Sequence, residues 1–195
     1  MMPGGHLATA LALSGAAYAA TGSPEAAAGC FAGGFLIDVD HYLDYLVFEK
    51  QWRRPGPLSF LRYYFTNSPQ KAVLPLHSME LMGILLALLR IHPWTLLAGY
   101  WLGAAMHITF DILINGEYAL KRAFLFYFFA YRVSKRFAAA DLMDRIIVPD
   151  IVGKRPVREF FRWRPLTRKE RPIAQMTGTP AAPSASSAAQ ERSPL

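Results

Sequence analysis

Residues 94–114, WTLLAGYWLGAAMHITFDILI, decide how the chain is to be read. The stretch follows a His92-Pro93 break and contains no Lys or Arg. Proline ends a preceding helix, so a new helix starts here. Its side chains are apolar all round, which suits a helix in lipid or in a protein core rather than one lying half in water. Gly99 and Gly103 are four apart and leave a smooth face on which another helix backbone can settle. His107 and Asp111 are also four apart, so a helix presents an imidazole and a carboxylate on one side at its end.

Working outward, three more apolar segments appear. Residues 6–20 end at Thr21-Gly22-Ser23-Pro24, residues 25–37 follow, and residues 76–91 lead to the His92-Pro93 break. The spacing predicts an all-α fold, a membrane-embedded bundle of short helices arranged as two hairpins. Most segments fall below the ~20 residues that cross a bilayer core, so thin or partial spanning is expected. Gly29 and Gly33 repeat the small-residue spacing on the second segment. More than half the chain is apolar and the mean hydropathy is positive. The single cysteine, Cys30, excludes a disulfide framework within the chain and reads as a small packing residue. No Lys or Arg precedes the first segment, which reads as a retained helix rather than a secretory signal.

Charge is divided along the chain. The first 49 residues hold Glu25, Asp38, Asp40, Asp44 and Glu49 and no basic residue, although the whole chain carries a formal net charge of +7. Residues 50–71 hold Lys50, Arg53, Arg54, Arg62 and Lys71 without an acid, which by the positive-inside rule places this loop on the cytoplasmic side of a membrane. The aromatic run Phe124 to Tyr131, flanked by Lys121, Arg122, Arg132, Lys135 and Arg136, is expected as an interfacial basic helix. These stretches complete a membrane domain over residues 1–150. Residues 151–171 form a basic juxtamembrane segment, whose charges over 154–171 point to an anionic lipid surface and only distantly to nucleic acid. Residues 172–195, rich in Ala, Pro and Ser, are expected to be a disordered tail.

The chemistry lies at the segment ends. His6 opens the first segment, Asp38-Val-Asp40-His41 closes the second, His77-Ser-Met-Glu80 opens the third and His107 to Asp111 close the fourth. An up-down arrangement brings all four ends to the face of the basic loop. Ionisable groups at membrane depth are costly and normally have a partner or a task. Imidazole with carboxylate suits a divalent metal, zinc or manganese first, with iron also suited and magnesium where oxygen ligands dominate. Each motif has a plainer alternative alone: a buried His-Asp pair at His107 and Asp111, an N-cap at Asp40, a helix-dipole partner at Glu80. His92, at the opposite turn without a nearby carboxylate, reads as a solvated turn residue, and Asp44 lies outside the ligand set.

With these residues in hand, the chain resembles the bacterial family of inner-membrane metal-dependent hydrolases, whose layout is similar to that of zinc-dependent phospholipase C. The matching pieces are Gly5-His6-Leu7, Gly34 to His41, His77-Ser78 and Gly99 to Asp111, within residues 4–115. The resemblance implies metal ligands at His6, Asp38, Asp40 or His41, His77, His107 and Asp111, and hydrolase activity. The chain departs from the family at Ile37, where a proline is usual, and at Leu74-Pro75-Leu76, where an arginine and threonine are usual. The expected function is hydrolysis of a phosphoester or related ester at the membrane's cytoplasmic face. Asp38, Asp40, His107 and Asp111 hold metal, His6, His41 and His77 complete the set, and Glu80 is the candidate general base. A non-catalytic membrane adaptor, or an ion pathway, would use the same cluster without turnover.

Overall fold

The computed structural model describes residues 2–66, 69–115, 119–144, 146–147, 155–162 and 168–169. The expected disordered tail, residues 172–195, lies outside them, as does much of the basic 151–171 segment.

The architecture is helical. α1 (Pro3–Thr21) and α2 (Pro24–Gly34) form the first hairpin, and α5 (Met79–Ile91) and α6 (Thr95–Phe110) the second. Between them lie a 3-10 turn (Leu36–Asp38), α3 (Val39–Val47) and α4 (Pro57–Thr66). Beyond α6, a π-turn (Asp111–Asn115) leads to α7 (Ala123–Phe126), α8 (Phe129–Ser134), α9 (Ala139–Leu142) and α10 (Pro156–Phe160). The strand structure among the described residues is a two-residue antiparallel pair, β1 (Ile146–Ile147) with β2 (Arg168–Lys169).

Local chemistry sets the helix ends. Proline stands in the first turn of α1 and α2, where its missing N–H costs nothing. Gly22 adopts φ 65°, the left-handed conformation that closes α1, and its N–H bonds to the Tyr18 carbonyl. Ser23 and Ser78 cap α2 and α5, each hydroxyl accepting a backbone N–H three residues on. Ser23 thus marks the turn of the first hairpin, and Ser78 the start of α5 beside the site.

The hairpins join through α2 and α6, which run with their backbones in contact. A Cβ on Gly33 would fall on the Tyr100 carbonyl, and one on Gly103 on the Cys30 carbonyl; Gly29 and Gly99 meet backbone in the same way. The small-residue spacing therefore does what was expected of it. The aromatic stretch after α6 differs from the expected surface-lying helix. It breaks into α7 and α8, and Phe126, Tyr127 and Arg132 are buried against the core formed around Ile37, Ala104, Ile108 and Leu142. Arg132 is enclosed completely, with its guanidinium over the Phe126 and Phe129 rings. Burial wins because these rings cover the end of the bundle where the site lies.

Replacing Gly33 or Gly103 with leucine forces side-chain volume into backbone. Overpacking of this kind costs about 1–3 kcal/mol or more, so both variants are expected to lose folded yield in detergent. Gly83, with open space around its Cα, should accept alanine without loss; equal yields for all three would contradict the α2–α6 contact.

Candidate metal centre

His6 lies in the first turn of α1, Asp38 ends the 3-10 turn after α2, His41 is in the first turn of α3, and His77 directly precedes the Ser78 cap of α5. His107 is in the last turn of α6, and Asp111 starts the π-turn. The structure brings these six together as two adjoining groups, His6 with His107 and Asp111, and Asp38 with His41 and His77; in each, the ligand atoms lie within 4.8 Å of one another. Both groups could hold a metal ion.

The tautomers follow from the hydrogen bonds. His107 Nδ1 lies 2.9 Å from the Gly34 carbonyl, which only accepts, so this nitrogen carries the proton. His77 Nδ1 lies 3.0 Å from both Asp40 oxygens and donates to them. When neutral, each ring turns an Nε2 lone pair inward; these two atoms face each other at 3.1 Å. Asp38 Oδ1 lies 3.4 Å from both, and Asp111 Oδ2 lies 3.4 Å from His107 Nε2 and 3.9 Å from His77 Nε2. Four acceptors so placed repel one another unless a cation, a proton or a metal ion, stands among them. Tetrahedral zinc with bonds of about 2.0–2.1 Å spaces its donors roughly 3.3 Å apart, so the donor set fits such an ion. Where protons supply that cation, burial would raise the Asp38 carboxyl, but the protonated His107 and His77 rings beside it hold it well below the usual carboxylate range.

His6 completes the inner side. Its ring stacks on His107 with centroids 3.7 Å apart, and Nε2 meets Asp111 Oδ1 at 2.9 Å. His6 Nδ1 is buried and has no hydrogen-bond partner among the described residues. His41 is looser, with Nε2 3.7 Å from Asp38 Oδ1 and part of its ring exposed.

Asp40 stands behind the donors rather than among them. Besides His77 Nδ1 it accepts the backbone N–H groups of Leu76 and His77, at 3.0 and 3.3 Å, which fully occupies a carboxylate with no exposed surface. It orients His77, as carboxylates behind ligating imidazoles commonly do. Asp44, one turn along α3, accepts from Val73 and Leu74, and burial pushes its carboxyl up to about 6 despite those bonds. Arg132 donates to the His77 carbonyl at 3.1 Å. The irregular segment that delivers His77, in which Leu74 takes φ 44°, is thus pinned from both sides.

Glu80 is not brought to the cluster. Its two oxygens accept the backbone N–H groups of Phe129 and Ala130 at the start of α8, 2.8 and 3.0 Å away. The helix-end role holds in the first turn of its own α5, where it also meets its own backbone N–H, and extends to the start of α8. His92 is exposed at the far turn. Two tyrosines carried no spacing signal and were not singled out from the sequence. Tyr127, from the aromatic run, is buried and hydrogen-bonds Asp111; Tyr64 of α4 sets its ring edge-on to His41 at 5.2 Å. Above the donors opens a cavity of about 500 Å3, with His6, Asp38, His41 and Asp111 on its floor and Tyr64 on its wall.

No protein-family model, curated protein or solved structure matches the chain.

His107→Ala and Asp111→Ala should each remove most of the bound metal, measured by elemental analysis after gel filtration, whereas His92→Ala should keep it. Undiminished metal in the first two would dismiss the centre. Asp40→Asn keeps the shape but weakens the orienting bond, so metal affinity should fall about 10- to 100-fold; a chelator competition titration reads this directly.

Proposed function

We propose that the protein is a metal-dependent hydrolase of a phosphoester or related ester, working at the cytoplasmic face of a bacterial inner membrane. The carrying observation is the pair of Nε2 atoms of His77 and His107 facing each other, ringed by the Asp38 and Asp111 carboxylates beneath an open cavity. A purely structural cluster needs no such opening. The family resemblance at His6, Asp38, His77, His107 and Asp111 points the same way.

A divalent ion held there, zinc or manganese, would supply a Lewis acid that polarises the ester and lowers the pKa of water. The protein contributes position and proton handling. Asp40, the Gly34 carbonyl and Arg132 keep the His77 and His107 rings fixed, so the donor set is preorganised. His41, on the cavity floor beside Asp38, is placed to take the proton from an attacking water. The water oxygen forms its bond to the phosphorus or acyl carbon, the bond to the leaving oxygen breaks, and the proton on His41 passes to that oxygen. His41 replaces Glu80 as the base in this scheme, because Glu80 is committed to α8.

Several features support the membrane setting. Thr95–Ile114 is, among the described residues, the one helical stretch long and apolar enough to cross a bilayer. Leu11 on α1 and Ile84, Leu88 and Ile91 on α5 point their apolar side chains outward. The basic loop of residues 50–71 lies on the site side of both hairpins, which by the positive-inside rule is cytoplasmic.

Detergent-purified protein should carry a divalent metal and release p-nitrophenolate from at least one phosphodiester or carboxylic ester, and a chelator should abolish that release. Bound metal without turnover on any ester would favour an inert structural cluster. In whole cells, Ser59→Cys should be shielded from an impermeant thiol reagent while Thr21→Cys is labelled; the reverse pattern would invert the orientation.

A further inference from the structure

The cavity over the donors is charged only at its floor; Tyr42 and Tyr64 bring two hydroxyl groups to a wall that is otherwise apolar, and the Tyr42 hydroxyl is committed to the Pro55 carbonyl. Phe35, Leu36, Val39, Phe60, Leu61 and Phe160 form its walls, and no lysine or arginine is among the described residues that line it. A nucleotide, polyphosphate or sugar ester needs cations or hydrogen-bond donors along its length, because each polar group brought out of water must be paired again. A wall with no cation and two tyrosine hydroxyls pairs few such groups and instead suits hydrocarbon. The volume, about 500 Å3, matches a small-molecule pocket rather than a gap between side chains.

The mouth has the same character. Leu36 and Val39 line the cavity and are also 51% and 47% exposed, so they form its rim. From Val39 the apolar surface continues along one face of α3 through Leu43 and Val47, each four residues further and 48% and 61% exposed. A hydrocarbon chain leaving the cavity therefore finds apolar surface beyond the rim instead of water.

From these walls and this rim, we infer that the substrate is an ester bearing a hydrocarbon chain, with the ester group on the His6, Asp38, His41 and Asp111 floor and the chain along the Phe35 to Phe160 wall toward α3. The inference rests on the hydrolase reading and narrows its substrate class.

The test compares p-nitrophenyl methyl phosphate with p-nitrophenyl hexyl phosphate, both as monomers, on metal-loaded protein held in amphipol, with a thymidine p-nitrophenyl phosphodiester as the polar counterpart. A fully buried methylene contributes roughly fourfold. With the wall partly open, kcat/KM is expected to rise at least tenfold from methyl to hexyl, and the thymidine ester should fall below the hexyl ester. In parallel, hexylphosphonate should bind at least tenfold more tightly than methylphosphonate by titration calorimetry. Leu36→Asp, checked to retain its metal, should shrink both ratios. Turnover without chain preference, or faster turnover of the thymidine ester, overturns the inference and leaves the hydrolase standing. Chain-selective phosphonate binding with no ester hydrolysed does the opposite, since it removes the hydrolase and keeps the cavity's choice of ligand.

Discussion

The contact of α2 with α6, backbone against backbone, sets everything around it. Gly33 and Gly103 allow the two helices to approach so closely that a single methyl group would strike a carbonyl oxygen. Immediately beyond that contact the Gly34 carbonyl reaches His107 Nδ1. One bond thus converts helix packing into site chemistry, because fixing the proton on Nδ1 is what turns the Nε2 lone pair inward. If α2 stood further away, His107 would lose both its tautomer and its orientation. The hairpin turns at Gly22 and His92-Pro93 then bring His6 and His77 to the same end of the bundle.

Placing histidines and aspartates together in an apolar setting is costly unless their charges are matched. The arrangement answers this in two layers. Backbone amides, a carbonyl and Arg132 satisfy the outer atoms of Asp40, Asp44, His107 and His77. On the inner side Asp111 has Tyr127 and His6 as partners, but the His77 and His107 Nε2 atoms and the Asp38 oxygen between them are all acceptors when the rings are neutral. A cation at the centre resolves that mismatch, whereas a cluster built only to hold helices together would pair donors with acceptors throughout.

The fold was legible where the physics is local. Apolar runs, Pro-Gly punctuation and glycines four apart located the four long helices to within a few residues, and the convergence of their ends followed from alternating direction alone. The segment from residue 72 to residue 78 was not legible, because its shape comes from bonds to Asp40, Asp44 and Arg132 that lie 29 to 55 positions away in sequence. For the same reason Asp40 resembled a ligand and Glu80 a base: residue type and spacing show what a carboxylate is near along the chain, not which distant amides occupy its oxygens. Tyr64 and Tyr127 were hidden among many aromatic residues with no periodicity to distinguish them. The aromatic run was read as surface-bound because its flanking charges were visible and its place under the bundle end was not.

The order in which the donors occur along the chain carries a consequence for biosynthesis. His6 and Asp111, hydrogen-bonded in the folded protein, stand 105 positions apart, with the other donors distributed between them. During translation the first imidazole emerges long before the last carboxylate, and no early stretch holds a full donor set. An ion held across both groups would therefore need α6 complete and docked on α2, whereas Asp38, His41 and His77 all precede α6 in the chain. A chain ending before Asp111 would have its helices and glycine faces and the Asp38, His41 and His77 group, but not the group that His6 and His107 complete with Asp111.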